Sequence, residues 1–283
     1  MPSYITHAIM ADRLHLKLKK LNIKTNRTNL KLFSIIPDLA SNKTNNHNIN
    51  TEEYILYLIN YIKDNNLIND TDTKTLLYGI ISHYYLDTIT HPFIYSIEYN
   101  NQKKSIIKPH HYIEGYLNYY IANKIMHKDI LLISPSFSTK GTISVKNEIL
   151  LNKSYKKFYG TEIINTINFN LRLIKIIEYA YKKIVKNNSL TEKLSGYYSY
   201  LKKNKLSSEI LDNRNHNIWI NPFTHEESNK SFIDLYNESL ISCINTIKTI
   251  ELFFNDIISI DNLYNIFNKS YDTGTNFKLK KVL

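Results

Sequence analysis

Six glycines and six prolines are all that interrupt this chain of 283 residues. With so few residues able to break regular structure, long helices are favoured. The apolar pattern agrees. Ser3 is placed as an N-cap, and Ile5, Ala8, Ile9 and Leu16 then recur at helical spacing over residues 3–19. Thr51 caps a second helix. Glu52 and Glu53 sit in its first turn, where negative charge complements the helix dipole. The buried face of that helix is Tyr54, Ile55, Leu58, Ile59 and Ile62. Between these two, Pro37 is expected to break any regular element in "LFSIIPDLAS". A third helix starts near Thr73 and is expected to end at Pro92, since a residue preceding proline is pushed out of the α region. Pro109 suits the first turn of the next, which runs to about Lys128.

Residues 129–160 read as less regular, and "GTISVKNEI" is the one weak strand candidate. Long helices return over 161–186, 191–203 and 229–257, with a short piece near 260–270. The polar 205–228 stretch reads as an internal loop. No repeat at a fixed period is visible. Hydrophobic residues make up 43 %, enough to bury a sizeable core. The expectation is an all-α fold in one multi-helix domain over residues 1–283, with C-terminal helices across 161–270.

The formal charge of +11 is compatible with an anionic partner such as phosphate esters, nucleic acid or an anionic membrane surface. It also follows from a composition dominated by Lys, Asn, Ile and Tyr, whose codons are AT-rich. The lysines are scattered and no arginine cluster forms, so charge alone identifies no partner. Cys243 is the single cysteine, which excludes an internal disulfide and a cysteine-based zinc knuckle. The Met-Pro-Ser start lacks a basic region followed by an apolar one, so no signal peptide is expected. No run of eighteen apolar residues occurs, so no transmembrane span is expected either. The expected location is cytoplasmic, compatible with peripheral contact with a membrane.

Chemistry enters through "GIISHYYLDTITHPF", residues 79–93. His83, Asp87 and His91 lie four apart, on one face of a helix, with about 6 Å of axial rise between neighbours. Ile80, Ile81, Leu86 and Ile89 surround them, so this face is buried, where an uncompensated carboxylate is costly. A central Asp at this spacing can bridge two ions. "PHHYIEG" repeats the interval with His110 and Glu114, an imidazole and carboxylate able to chelate one zinc. His111 points about 100° away from that pair. His7 lies on the apolar side of the first helix, and Asp38 sits in an apolar stretch that gives a carboxylate no obvious reason to be there. Taken alone, His7 also reads as a core histidine, Asp38 as a cap or turn residue, and His47 as solvent-exposed. His15, His127, His216 and His225 have no carboxylate at chelating spacing on a convincing buried face and read as structural.

In order, His7, "PD" at 37–38, His47, "HYYLDTITH" at 83–91 and "HHYIE" at 110–114 resemble the zinc-dependent phospholipase C family. Its fold is shared with S1/P1-type nucleases. The motifs cover roughly residues 1–118, and "MPSYITH" looks like the start of the family's non-secreted bacterial members. "WINPFT" and "SYDTGTNF" also look like segments of the family but carry no assignable ligand.

The resemblance implies an all-helical fold with three zinc ions in a cleft. Asp38, His47, His83 and Asp87 would hold one, and His91, His110 and Glu114 a second. His7 and a bridging Asp87 would hold the third, with the chain's terminal nitrogen and carbonyl. Removal of Met1 would make Pro2 that terminus, and an N-terminal extension should then strip one zinc and most activity.

The implied activity is hydrolysis of a phosphodiester, with phospholipid head groups cleaved by a zinc-bound hydroxide and Asp38 orienting or deprotonating the attacking water. Two alternatives stay open at this point. One is a single-strand nuclease or nucleotidase on the same scaffold. The other is a non-catalytic, zinc-stabilised binding protein.

Overall fold

The computed structural model describes residues 4–40, 51–101, 109–128, 136–185 and 208–276. Pro2, Ser3, His47, the side chain of His111 and the helix expected over 191–203 lie outside them.

Helix α1 (Tyr4–Lys20) buries Ala8, Ile9, Met10, Ala11, Leu14 and Leu18, and with them His7. Lys17, Lys19 and Lys20 fill its last turn, where cations complement the dipole. Asn26 caps α2 (Arg27–Phe33), its side chain accepting from the amides of Thr28 and Asn29. Pro37 does not break the chain here. It sits in the first turn of a five-residue helix, α3 (Ile36–Ala40), where its missing N–H has no helical partner to lose. Every residue of α3 is buried, Asp38 included. Helix α4 (Thr51–Asp64) has both glutamates in its first turn and Tyr54, Ile55, Leu58, Ile59 and Ile62 buried, as expected. Thr51 does not cap it: it is the first helical residue, and its buried hydroxyl meets no hydrogen-bond partner among the described residues.

The centre of the molecule is α5 (Thr71–Asn101), a helix of 31 residues. It does not end at Pro92 but continues nine residues past it. Proline removes a single hydrogen bond, the one to the Thr88 carbonyl. The packing of α5 on several neighbours outweighs that loss. Gly79 shows how closely α2 approaches: a Cβ there would lie 2.7 Å from the Phe33 carbonyl carbon and 2.9 Å from the Ser34 nitrogen. Only glycine lets the end of α2 lie directly against α5.

Helix α6 (Pro109–Met126) opens on proline as expected and lies against α1 and α5. Thr6 of α1 donates to Asn118 of α6, both side chains buried. After the short α7 (Ser136–Thr139), the weak strand candidate proves to be a loop running into α8 (Val145–Tyr159). The region expected to be irregular therefore holds a fifteen-residue helix. Leu150, Leu151 and Tyr155 give that helix its buried face, a 3.6-residue period that overrides the weak alternation ahead of it. It stops at Gly160 in the left-handed conformation (φ 73°), whose amide donates to Lys156.

Helix α9 (Ile164–Val185) packs on α3, and Asn170 donates to the Leu39 carbonyl at 2.7 Å. The 205–228 stretch contains a short helix, α10 (Ser208–Asp212), and a two-stranded hairpin. Its strands, β1 (Trp219–Ile220) and β2 (Glu227–Ser228), pair antiparallel. This hairpin is the only sheet among the described residues, and the fold is all-α. Ser231 and Asp234 form a reciprocal capping box that starts α11 (Phe232–Phe254), which packs along α5. A 3₁₀ turn (Ile260–Leu263) and an irregular segment to residue 276 bring the chain back to α5.

Candidate metal centre

Three elements meet around His83. The α1 register turns His7 inward, the first turn of α3 presents Asp38, and α5 supplies His83 and Asp87. All four side chains are fully enclosed. The His7 and His83 rings stack, with centroids 4.1 Å apart and planes 12° from parallel. The His7 Nε2 lies 3.2 Å from one Asp87 oxygen, and the His83 Nε2 lies 2.9 Å from the other. Asp38 stands slightly back, 3.9 Å from His7 and 3.6 Å from His83.

These contacts are short, yet those to Asp87 are not aligned as hydrogen bonds. Both Asp87 oxygens and both ring nitrogens of His7 are buried with no hydrogen-bond partner among the described residues. Such groups are rare in folded proteins, because each costs its full desolvation. His7, Asp38 and His83 each direct one ligand atom into a space less than 4.8 Å across. Lone pairs converging there fit a cation.

A second group lies further along α5. His91, His110 and Glu114 converge in the same way. The His110 Nε2 is 3.0 Å, and the His91 Nε2 3.8 Å, from the same Glu114 oxygen. This trio matches the second ligand set implied by the resemblance. His7 lies against Asp87, the partner implied for it, and also beside Asp38 and His83.

The outward-facing nitrogens of three histidines are tied back. The His83 Nδ1–H donates to the Ser34 carbonyl at 2.9 Å, and the His91 Nδ1–H to the Tyr271 carbonyl at 2.5 Å. A carbonyl can only accept, so each of these two rings carries a proton on Nδ1, and in its neutral form, the form that binds a metal, offers the Nε2 lone pair inward. The His110 Nδ1 meets a Glu98 carboxylate oxygen at 3.0 Å. A carboxylate behind a histidine is the usual support for a metal-bound imidazole. Ser34, Glu98 and the Tyr271 carbonyl were not identified from sequence. Glu98 lies seven residues after His91 and so on the same helix face, which was a usable signal. The two carbonyls leave no trace in the residue code.

The electrostatics follow from this crowding. Burial alone would raise the Asp87 carboxyl, but the charges of His83, the more distant His91 and His7, with the short contact from His7, outweigh it and hold it well below the usual carboxylate range. Burial also works against a charged His83, yet Asp87 and Asp38 beside it lift its pKa to about 9. His7 goes the other way, lowered by burial and by His83 at its face. In the second group burial opposes both charges, and the pairing of His110 with Glu114 overcomes it, raising the histidine and lowering the acid. Tyr4, in the first turn of α1, is pushed up to about 12 by burial and by the charge of Asp38.

Fold and site together define a helical protein built around a buried histidine–carboxylate centre with no cysteine in it. A profile described as zinc dependent phospholipase C matches residues 6–249. Covering most of the chain, this match places it in the zinc-dependent phospholipase C family. No curated protein and no solved structure matches the chain. Among the described residues no helix is long and apolar enough to cross a membrane.

Proposed function

We propose that the protein is a zinc-dependent phosphodiester hydrolase of phospholipase C type that removes head groups from phospholipids. The observation that carries this reading is Asp87. It is fully buried between His7 and His83, at 3.2 and 2.9 Å, and neither of its oxygens is met by an aligned hydrogen-bond donor among the described residues. A carboxylate enclosed against two imidazoles without aligned donors suits a cation between them. His7, Asp38, His83 and Asp87 would hold zinc at one end of the site, and His91, His110 and Glu114 at the other. Pro2 and His47 would complete the set of nine ligands for three ions. Histidines and carboxylates without thiolates suit an open, reactive zinc better than a closed structural one.

Bound zinc would act there as a Lewis acid and lower the pKa of coordinated water to about 7. The chain's own residues do the rest. Ser34, Glu98 and the Tyr271 carbonyl fix ring orientation. Asp38 would orient the attacking water and accept its proton. The enclosing helices keep bulk water away, which strengthens every charge interaction inside.

The test is metal analysis paired with turnover. Purified protein should carry three zinc ions and hydrolyse phosphatidylcholine in mixed micelles faster than single-stranded DNA. A preference for DNA would move the assignment to the nuclease alternative. Bound zinc without turnover of either substrate would mark a binding protein.

A further inference from the structure

Two segments noted in the sequence, "WINPFT" and "SYDTGTNF", carry no zinc ligand, yet both come to rest against the ligand-bearing stretch of α5. Residues 269–276 fold into a self-bonded turn. Ser270 donates to the Thr275 carbonyl and Gly274 to the Ser270 carbonyl, each at 2.9 Å, and the Thr273 and Thr275 hydroxyls lie 2.7 Å apart. The turn is fixed to α5 at four points. The Tyr271 carbonyl takes the His91 Nδ1–H. The Tyr271 ring stands edge-on to His83 at 5.3 Å. Asp272 accepts the Tyr95 hydroxyl at 2.6 Å, and the Tyr95 ring lies 4.9 Å from that of His110. Gly274, at φ 66°, lies so close that a Cβ would strike the Thr88 carbonyl and come within 2.9 Å of the Pro92 ring. That carbonyl is the one Pro92 deprives of its helical donor. From the hairpin, Phe223 packs edge-on to Tyr95 at 5.3 Å. The turn lies beyond residue 249, where the family match ends.

We propose that the 269–276 turn is a positioning element for the His91–His110–Glu114 site: it sets the His91 tautomer and, through Asp272 and Tyr95, the seat of His110. The proposal rests on the metal reading of that site. Gly274 is its key residue, because only glycine allows the turn to seat on α5 at the proline. Groups that orient ligating histidines typically contribute about 10–100-fold to metal affinity.

The experiment titrates zinc into the metal-depleted full-length protein against a chromophoric chelator. Gly274→Ala should weaken one zinc site about 10–100-fold and leave the tightest site unchanged. Asp272→Ala should weaken the same site by a smaller factor. Asp272→Asn, which keeps an oxygen for Tyr95, should restore wild-type affinity. A merely structural turn would lower the melting temperature of the variants without changing their zinc affinities. If Gly274→Ala does not fold, the Asp272 pair decides: equal affinity in Asp272→Ala and wild type overturns the proposal. Wild-type protein that takes up no zinc overturns the ligand assignment and this inference with it, whereas normal wild-type loading with unaffected variants overturns this inference alone.

Discussion

The two halves of the candidate metal centre are built differently. At the inner group, His7, Asp38, His83 and Asp87 come from three helices and are sealed completely. The outer group is a helix pair, and His110 retains 17 % of its side-chain surface. Behind the inner group lies the Ser34 carbonyl; behind the outer lie Glu98 and a turn from the far end of the chain. The inner site is thus part of the core, where a carboxylate and stacked rings need a cation to be tolerated. The outer site is assembled at the surface and depends on its supports. Affinity and folding should couple tightly at the first and loosely at the second.

Chelation tests that contrast most directly. Excess chelator should abolish activity in two phases, the exposed outer group losing metal first and the sealed inner group later. A bound ion present at 1,000 times its dissociation constant contributes about 4 kcal/mol of stability. The melting temperature, followed by calorimetry, should therefore fall mainly in the second phase. Single-phase loss of metal and stability together would erase the distinction between the two groups.

Asp87→Asn should have the next largest effect. The variant keeps the shape but removes the charge that lies between His7 and His83. Zinc should be lost at the inner group, with activity down more than about 100-fold, since the metal supplies several kcal/mol of charge stabilisation. Metal content by mass spectrometry is the readout, and an Asp87→Asn protein with full zinc and full activity would refute the ligand assignment. Glu98→Gln keeps an acceptor behind His110 but removes its charge. It should weaken zinc at the outer group by about tenfold and leave the inner group alone, measured by competitive titration. Ser231→Ala, at the capping box of α11, marks the lower limit. It should cost about 1 kcal/mol in urea unfolding and change neither zinc site.

Much of this was legible in the sequence because it is local. Four-residue spacing put His83, Asp87 and His91 on one face, and His110 with Glu114 on another. The scarcity of glycine and proline led to helices, and the glutamates after Thr51 marked a helix start. Where local rules were pressed further they failed for physical reasons. Pro92 was expected to end its helix, but proline removes only one bond and the neighbours of α5 hold the rest in place. Pro37 was expected to break structure and instead begins a buried turn of helix. "GTISVKNEI" looked extended over a window shorter than the helical face that follows it.

The sequence by itself determined the helical class, the family resemblance and the candidate ligand types, because periodicity and residue chemistry are properties of short segments. Only the tertiary structure decided which ligands share a space. His7 meets His83 across 76 positions of chain, and the Tyr271 carbonyl reaches His91 across 180. A backbone carbonyl is common to every residue, so its use as a support cannot be read from the letter that carries it. Such contacts follow from how helices pack. Here that depends on the close approach permitted at Gly79 and Gly274, where the absence of a side chain lets one backbone lie against another.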